Sequence, residues 1–168
     1  MSDITVRPAT PADYPAVGRL SVAAYRADGQ LSVDSGYDRV LADVADRAVD
    51  GEVLVAVDGS GTVLGAVTFV LAGSRYAERA RPGQAEFRML AVDPAAQGRG
   101  AGLLLARACV ARAEELGARA VVIYTRDFAA VAQRMYQRLG FVREPEHDVT
   151  PVAGVTLQAM RLDLTGSA

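Results

Sequence analysis

Between Leu90 and Gly102 the chain reads Leu90-Ala91-Val92-Asp93-Pro94-Ala95-Ala96-Gln97-Gly98-Arg99-Gly100-Ala101-Gly102, an apolar strand pattern that passes through a glycine-rich turn into a helical one. This arrangement suits a phosphate group. Glycines let backbone N–H groups converge without interference from Cβ, and a helix N-terminus adds unpaired donors and the positive end of a dipole. Gln97 offers a side-chain donor and Arg99 a charge, so a diphosphate held here needs no metal and no lysine. The spacing excludes two other nucleotide loops. Glycines at 98, 100 and 102 do not fit G-x-G-x-x-G, and a Walker loop is impossible because all 18 Lys+Arg residues are arginine. The plainer alternative is a connector without a ligand, which is less plausible for three glycines that open an amphipathic helix.

The elements around this turn follow from periodicity. Ile4 and Val6 begin a short strand ended by Pro8, and Thr10 with Asp13 three residues on forms a capping-box variant before a helix through Tyr14, Val17, Ala24 and Tyr25. Val40, Leu41, Val44 and Ala48 predict one second helix up to Gly51. Glu52 to Val57 and Val63 to Leu71 flank Asp58-Gly59-Ser60-Gly61 as a hairpin, and Ala85 to Val92 is a third strand. Leu105, Ala108, Cys109, Ala113 and Leu116 predict a helix from Gly100 to Gly117, with Cys109 in the core. Ala120 to Thr125 is an apolar strand. Phe128, Val131, Ala132, Met135 and Leu139 form the stripe of a further helix, and a last strand spans Val155 to Leu164. Leu71 to Gln84 and Arg143 to Gly154 read as irregular loops. The order implies a mixed, mostly antiparallel central sheet with helices on its faces and a parallel part in the C-terminal half.

At 168 residues, one core and a single domain over 1–168 are expected. A net charge of -2 gives no field that would draw the chain to nucleic acid. The first ten residues lack an apolar segment and no stretch is long enough to span a bilayer, so the reading is cytoplasmic, with no membrane partner. A single cysteine cannot close an internal disulfide or a multi-cysteine zinc site.

Gln97, Gly100 and Gly102 match the Q/R-x-x-G-x-G/A signature of the GCN5-related N-acetyltransferases (GNAT), and the chain resembles this family on two further segments. Val6-Arg7-Pro8-Ala9-Thr10 with Asp13 is similar to its opening, and Tyr136-Gln137-Arg138-Leu139-Gly140-Phe141 to its Y-x-x-x-G-F. The resemblance implies acetyl-CoA as acyl donor, without a metal, in a gap where two parallel strands splay apart. Those strands would be the one ending near Val92 and the one containing Val121 to Tyr124. Pantetheine can pair with strand backbone as an added strand does, which assigns it to Leu90, Ala91 and Val92, and the diphosphate to Gln97, Gly98, Arg99, Gly100, Ala101 and Gly102. The family often has an asparagine seven residues before the tyrosine; here the position is Ala129, and the chain has no asparagine. Members often pair, so a homodimer is implied.

The implied reaction is attack of a neutral primary amine, on a small molecule or a peptide, on the thioester carbonyl. An amine of pKa ~10.4 is neutral in only about one molecule in 2,500 at pH 7, so removing its proton is the larger demand. Glu86 is the candidate base, directly or through water, because strict alternation would set Glu86, Arg88, Leu90 and Val92 on one face and Phe87, Met89 and Ala91 on the other. The alternative is an exposed carboxylate paired with Arg88 or another arginine. Tyr136 is the candidate acid for the leaving thiolate, against a packing role on its helix. His147 reads as a surface residue that could touch an acceptor, and Arg75, Arg79 and Arg81 as a solvated run that could attract an acidic one. Tyr25, Tyr37 and Tyr76 are further candidates for the acceptor pocket, and acceptor specificity is expected in the loops 26–37, 72–84 and 143–154. A silent acyl-CoA-binding sensor is the alternative function, and nucleotide or phosphate binding without CoA a third.

Overall fold

In the computed structural model, which describes residues 3–31 and 36–164, strand β1 (Thr5–Pro8) leads into helix α1 (Tyr14–Ala27). The link between them is fixed by Asp13, whose carboxylate accepts the Thr10 N–H (2.8 Å), the Thr10 hydroxyl (3.2 Å) and both arms of the Arg7 guanidinium (2.7 and 3.1 Å). The single helix expected over 40–51 is instead two, α2 (Tyr37–Ala42) and α3 (Val44–Asp50). They part at Asp43 (ψ 73°), whose side chain accepts the Asp46 N–H. An aspartate that caps the following turn is more stable outside the helix than within it.

The hairpin strands β2 (Glu52–Val57) and β3 (Val63–Leu71) and then β4 (Gln84–Val92) follow as expected. Helix α4 (Ala101–Glu115) crosses over to β5 (Ala120–Arg126), and α5 (Ala130–Arg138), β6 (Val142–Arg143), β7 (Val149–Val152) and β8 (Val155–Asp163) complete the chain. The sheet runs β1-β2-β3-β4-β5-β8-β6, with β7 paired to β8. Every pairing is antiparallel except β4 with β5. The predicted mixed, mostly antiparallel sheet is therefore present, with one parallel pair.

Two layers of helix cover the sheet. Leu105, Ala106, Cys109 and Ala113 of α4 pack with Leu54, Phe69, Phe87, Val121 and Ile123 on one face. Val17 of α1 and Val44 of α3 pack on Val53, Val55 and Ala66 on the other. Cys109 lies fully inside the first layer, where burial pushes its thiol pKa up, as the core reading requires. The stripe expected on α5 is only partly correct. Phe128 precedes the helix, and it and Val131 are exposed, whereas Tyr136 is buried and Met135 and Leu139 pack on the core. The segment 143–154 is also more ordered than expected, because β7 extends the sheet by pairing with β8. Among the described residues no helix is long and apolar enough to cross a membrane.

Candidate active site

The parallel pair β4–β5 is short. Its register covers only Gln84, Ala85 and Glu86 opposite Ala120, Val121 and Val122, after which the strands separate. The cause lies in β4. Met89 has φ 57°, the only positive φ on a non-glycine among the described residues, and between Thr68↔Arg88 and Ala66↔Ala91 the strand spends one residue more than β3 does. This is a β-bulge, which bends the strand and exchanges its faces. Phe87 therefore packs toward α4 while Ala91, of the same parity, packs on Leu20 and Ala24 of α1. Leu90 and Val92 lean toward α4, opposite to Glu86 and Arg88. The uniform alternation expected over 86–92 is thus corrected.

A cavity of about 420 Å³ fills the splay, lined by Phe87 to Leu90 of β4 and Ile123 to Arg126 of β5. Helix α1 supplies Tyr25, α2 supplies Tyr37, and α5 supplies Ala132 and Tyr136. The β5-facing edge of β4 beyond Glu86 has no strand partner among the described residues. At the end of that edge the glycine turn opens α4. Gly98 (φ 84°) and Gly100 (φ 89°) adopt the left-handed backbone that favours glycine, and a Cβ on either would meet open space, so an anion has room beside them. A Cβ at Gly102 would stand 3.5 Å from Val92 and 3.8 Å from Met135, so α5 lies across the first turn of α4. Arg99 turns away from this cradle. Its guanidinium pairs with Asp3 (3.3 Å) and approaches Asp58 (4.0 Å).

Tyr136 lies in the cavity wall with its ring edge-on to Phe87 and Phe141, centroids 5.9 Å apart in both pairs. Burial pushes its phenol pKa well above the ordinary value, which keeps the hydroxyl protonated and able to donate. Glu86 is fully buried, yet not beside the cavity. Its Oε1 accepts the backbone N–H groups of Glu78 (3.0 Å), Arg79 (2.9 Å) and Ala80 (3.0 Å), and Oε2 accepts that of Glu78 at 3.2 Å. Burial raises its pKa and these N–H groups oppose the rise. Neither sequence expectation, a base reaching the cleft or an exposed carboxylate on Arg88, describes this geometry; Glu86 holds the 72–83 loop.

That loop brings residues to the site that periodicity did not find. Glu78 lines the cavity and pairs with Arg88 at 2.8 Å, while Arg88 also donates to Tyr76 O (2.8 Å) and the Tyr37 hydroxyl (3.4 Å). Arg79 is not solvated: it donates to Ile123 O and Met160 O and pairs with Glu144 at 2.6 Å. Tyr76 lies outside the cavity, its hydroxyl donating to Asp46, and Arg75 pairs with Asp46 and Asp50 on the surface. His147, with Arg81, lines a separate polar cavity of about 250 Å³ that shares Glu78 and Tyr124 with the larger one. Ala129 lines the main cavity, in the position where the sequence comparison expected a polar side chain. Part of the expected acceptor loop, residues 32–35, lies outside the described residues.

Residues 21–141 match the model of the acetyltransferase (GNAT) family. An uncharacterized N-acetyltransferase of Schizosaccharomyces pombe is 32% identical over 115 residues, 68% of this chain and 65% of that one. The chain spans less than two thirds of the length of the curated relatives it matches. Among solved structures, one described as histone acetyltransferase HPA2 and related acetyltransferase, from Corynebacterium glutamicum, superposes with a TM-score of 0.73 at 26% identity, covering 96% of both chains. The structure described as yncA from Salmonella typhimurium with its cofactor acetyl-CoA has the same fold (TM-score 0.68, 24% identity, 99% of this chain and 96% of that one).

Proposed function

Because the chain belongs to the acetyltransferase (GNAT) family, we propose that it transfers an acetyl group from acetyl-CoA to a primary amine by direct attack in a ternary complex. The observation that carries this reading is the cavity between β4 and β5, lined by Leu90 on the unpaired edge of β4 and by the Tyr136 ring. Backbone N–H groups from Gln97 to Gly102 hold the donor's diphosphate, since the first turn of a helix leaves its donors unpaired and positive. The Leu90, Ala91 and Val92 backbone pairs with the amides of the pantetheine arm. Bound there, acetyl-CoA supplies an activated carbonyl.

Burial keeps the Tyr136 hydroxyl protonated, and it donates its proton to the departing thiolate sulfur. Glu86 orders the loop that delivers Glu78 and positions Arg88. The ammonium proton of the acceptor leaves to water at the mouth of the cleft, where Asp28 and Glu78 are the carboxylates that line the cavity among the described residues.

Thermal unfolding with acetyl-CoA, CoA and ADP, followed by thiol release with an amine panel, tests this. A ligand at 100 times its Kd stabilises by about 2.7 kcal/mol, a shift of roughly 5–10 °C for a chain of this size. Acetyl-CoA should stabilise more than ADP. Tyr136→Phe should keep that shift and lower kcat by roughly 100-fold, the lower end for general acid catalysis, because a thiolate is already a fair leaving group. No shift at millimolar acetyl-CoA refutes the donor site. An unchanged kcat in Tyr136→Phe refutes the acid.

A further inference from the structure

Two arginines line the cleft, and among the described residues only one of them has a carboxylate partner. Along β5, Val121 and Ile123 point into the core with α4, so alternation turns Tyr124 and Arg126 to the opposite, α1-facing side. Tyr124 lies under Arg79 there, 5.4 Å from ring centroid to guanidinium carbon, and Arg126 reaches the Gln30 carbonyl, which follows α1, at 3.4 Å. Arg126 lines the cavity, rests on the Phe128 ring at 4.7 Å, and buries its Nε–H without a hydrogen-bond partner among the described residues. Among the described residues no carboxylate forms an ion pair with it, whereas the other arginine of the cleft, Arg88, has Glu78 at 2.8 Å.

A buried N–H left unpaired costs about 1–3 kcal/mol, and native structures rarely leave one without a reason. The fork of donors on a guanidinium is met best by the two oxygens of a carboxylate. Beside it the wall is apolar: Leu157, paired in register with Arg126, continues into Pro151, Val152 and Val155 on the β7–β8 hairpin. Tyr136 lines the same cavity.

We propose that Arg126 is the specificity-determining residue of the acceptor site, and that the acceptor is an amine carrying a carboxylate and an apolar body, as a free amino acid with an apolar side chain does. The carboxylate docks on Arg126, the side chain lies on the β7–β8 hairpin, and the amine points toward Tyr136. This rests on the acetyl-transfer reading above. It assigns a substrate class that neither the family nor the glycine turn specifies.

The test uses a matched pair that differs only in the carboxylate, N-acetyl-leucine and N-acetyl-leucinamide, titrated into the full chain saturated with CoA, so that no turnover is needed. The acid should bind roughly 10- to 100-fold more tightly than the amide, as expected for losing a charge-assisted pair. In Arg126→Gln that preference should collapse to about one, while the thermal shift with CoA, read in the same samples, shows that the variant is folded and keeps its donor site. Arg126→Lys retains the charge without the fork and should recover only part of the preference. Equal affinity for the two, binding of neither, or a preference that survives Arg126→Gln overturns the proposal. Loss of the CoA shift in the wild-type protein would instead remove the acetyl-transfer reading beneath it.

Discussion

Replacing Glu86 by glutamine separates a structural role from a chemical one, because the substitution keeps the shape and removes the charge. In the wild type the carboxylate receives three backbone N–H groups from residues 78–80 inside a site with no solvent exposure. A glutamine carbonyl in place of Oε1 can retain those of Glu78, Arg79 and Ala80, but as neutral bonds of about 1 kcal/mol rather than charge-assisted ones of about 1.5–3 kcal/mol. Its NH₂ group, in place of Oε2, then faces the Glu78 N–H across 3.2 Å and weakens that bond by donor–donor repulsion. Relief from burying a charge offsets part of this, so the net loss is about 2–4 kcal/mol, or roughly 5–15 °C in Tm. Differential scanning calorimetry gives the stability, and kcat/KM between pH 5 and 10 gives the chemistry. The clamp role predicts a lower Tm, a raised acceptor KM as Glu78 and Arg88 lose their setting, and an acidic limb of unchanged midpoint. A Tm within a degree of wild type, together with loss of the acidic limb, would refute the reasoning and restore Glu86 as the base.

Asp13 predicts a pH-dependent loss of stability. The hydrogen-bonded Arg7 guanidinium holds its carboxyl down to about 2, against an ordinary 3.8. A folded-state pKa below the unfolded one means stability that is present above the unfolded value and disappears as pH falls toward about 2. Asp13→Asn should cost about 1–2 kcal/mol at pH 7, allowing for solvent screening of Arg7, and its Tm should converge on that of wild type near pH 2 in an acid titration. Gly65→Ala tests the packing behind the donor strand. Its Cβ would stand 2.8 Å from Ala91 O and 3.2 Å from Leu105 Cδ1, so a loss of about 1–3 kcal/mol and a raised KM for acetyl-CoA are expected by melting and steady-state assay. A variant as stable as wild type would show that β3 and β4 can move apart there.

What the sequence alone determined was whatever local chemistry decides. The turn from Gln97 to Gly102 was legible because its glycines and the apolar period after them are neighbours in the chain. The Thr10–Asp13 cap, the Asp58–Gly61 hairpin turn and the core position of Cys109 were legible for the same reason. Tertiary structure decided where the polar side chains of the site point. The bulge at Met89 arises from the pairing of β4 with β3, a contact between distant segments, and it places Glu86 and Arg88 on the face opposite Leu90 and Val92. Strict alternation along β4 has no term for that extra residue. Likewise Arg79 was legible only as one charge in a polar loop, because the Ile123 and Met160 carbonyls that take it lie 44 and 81 residues away. Arg126 was visible in sequence as a charge ending an apolar strand. That it lines the cleft with its Nε–H buried, beside the β7–β8 hairpin, follows from strand order, which periodicity does not encode.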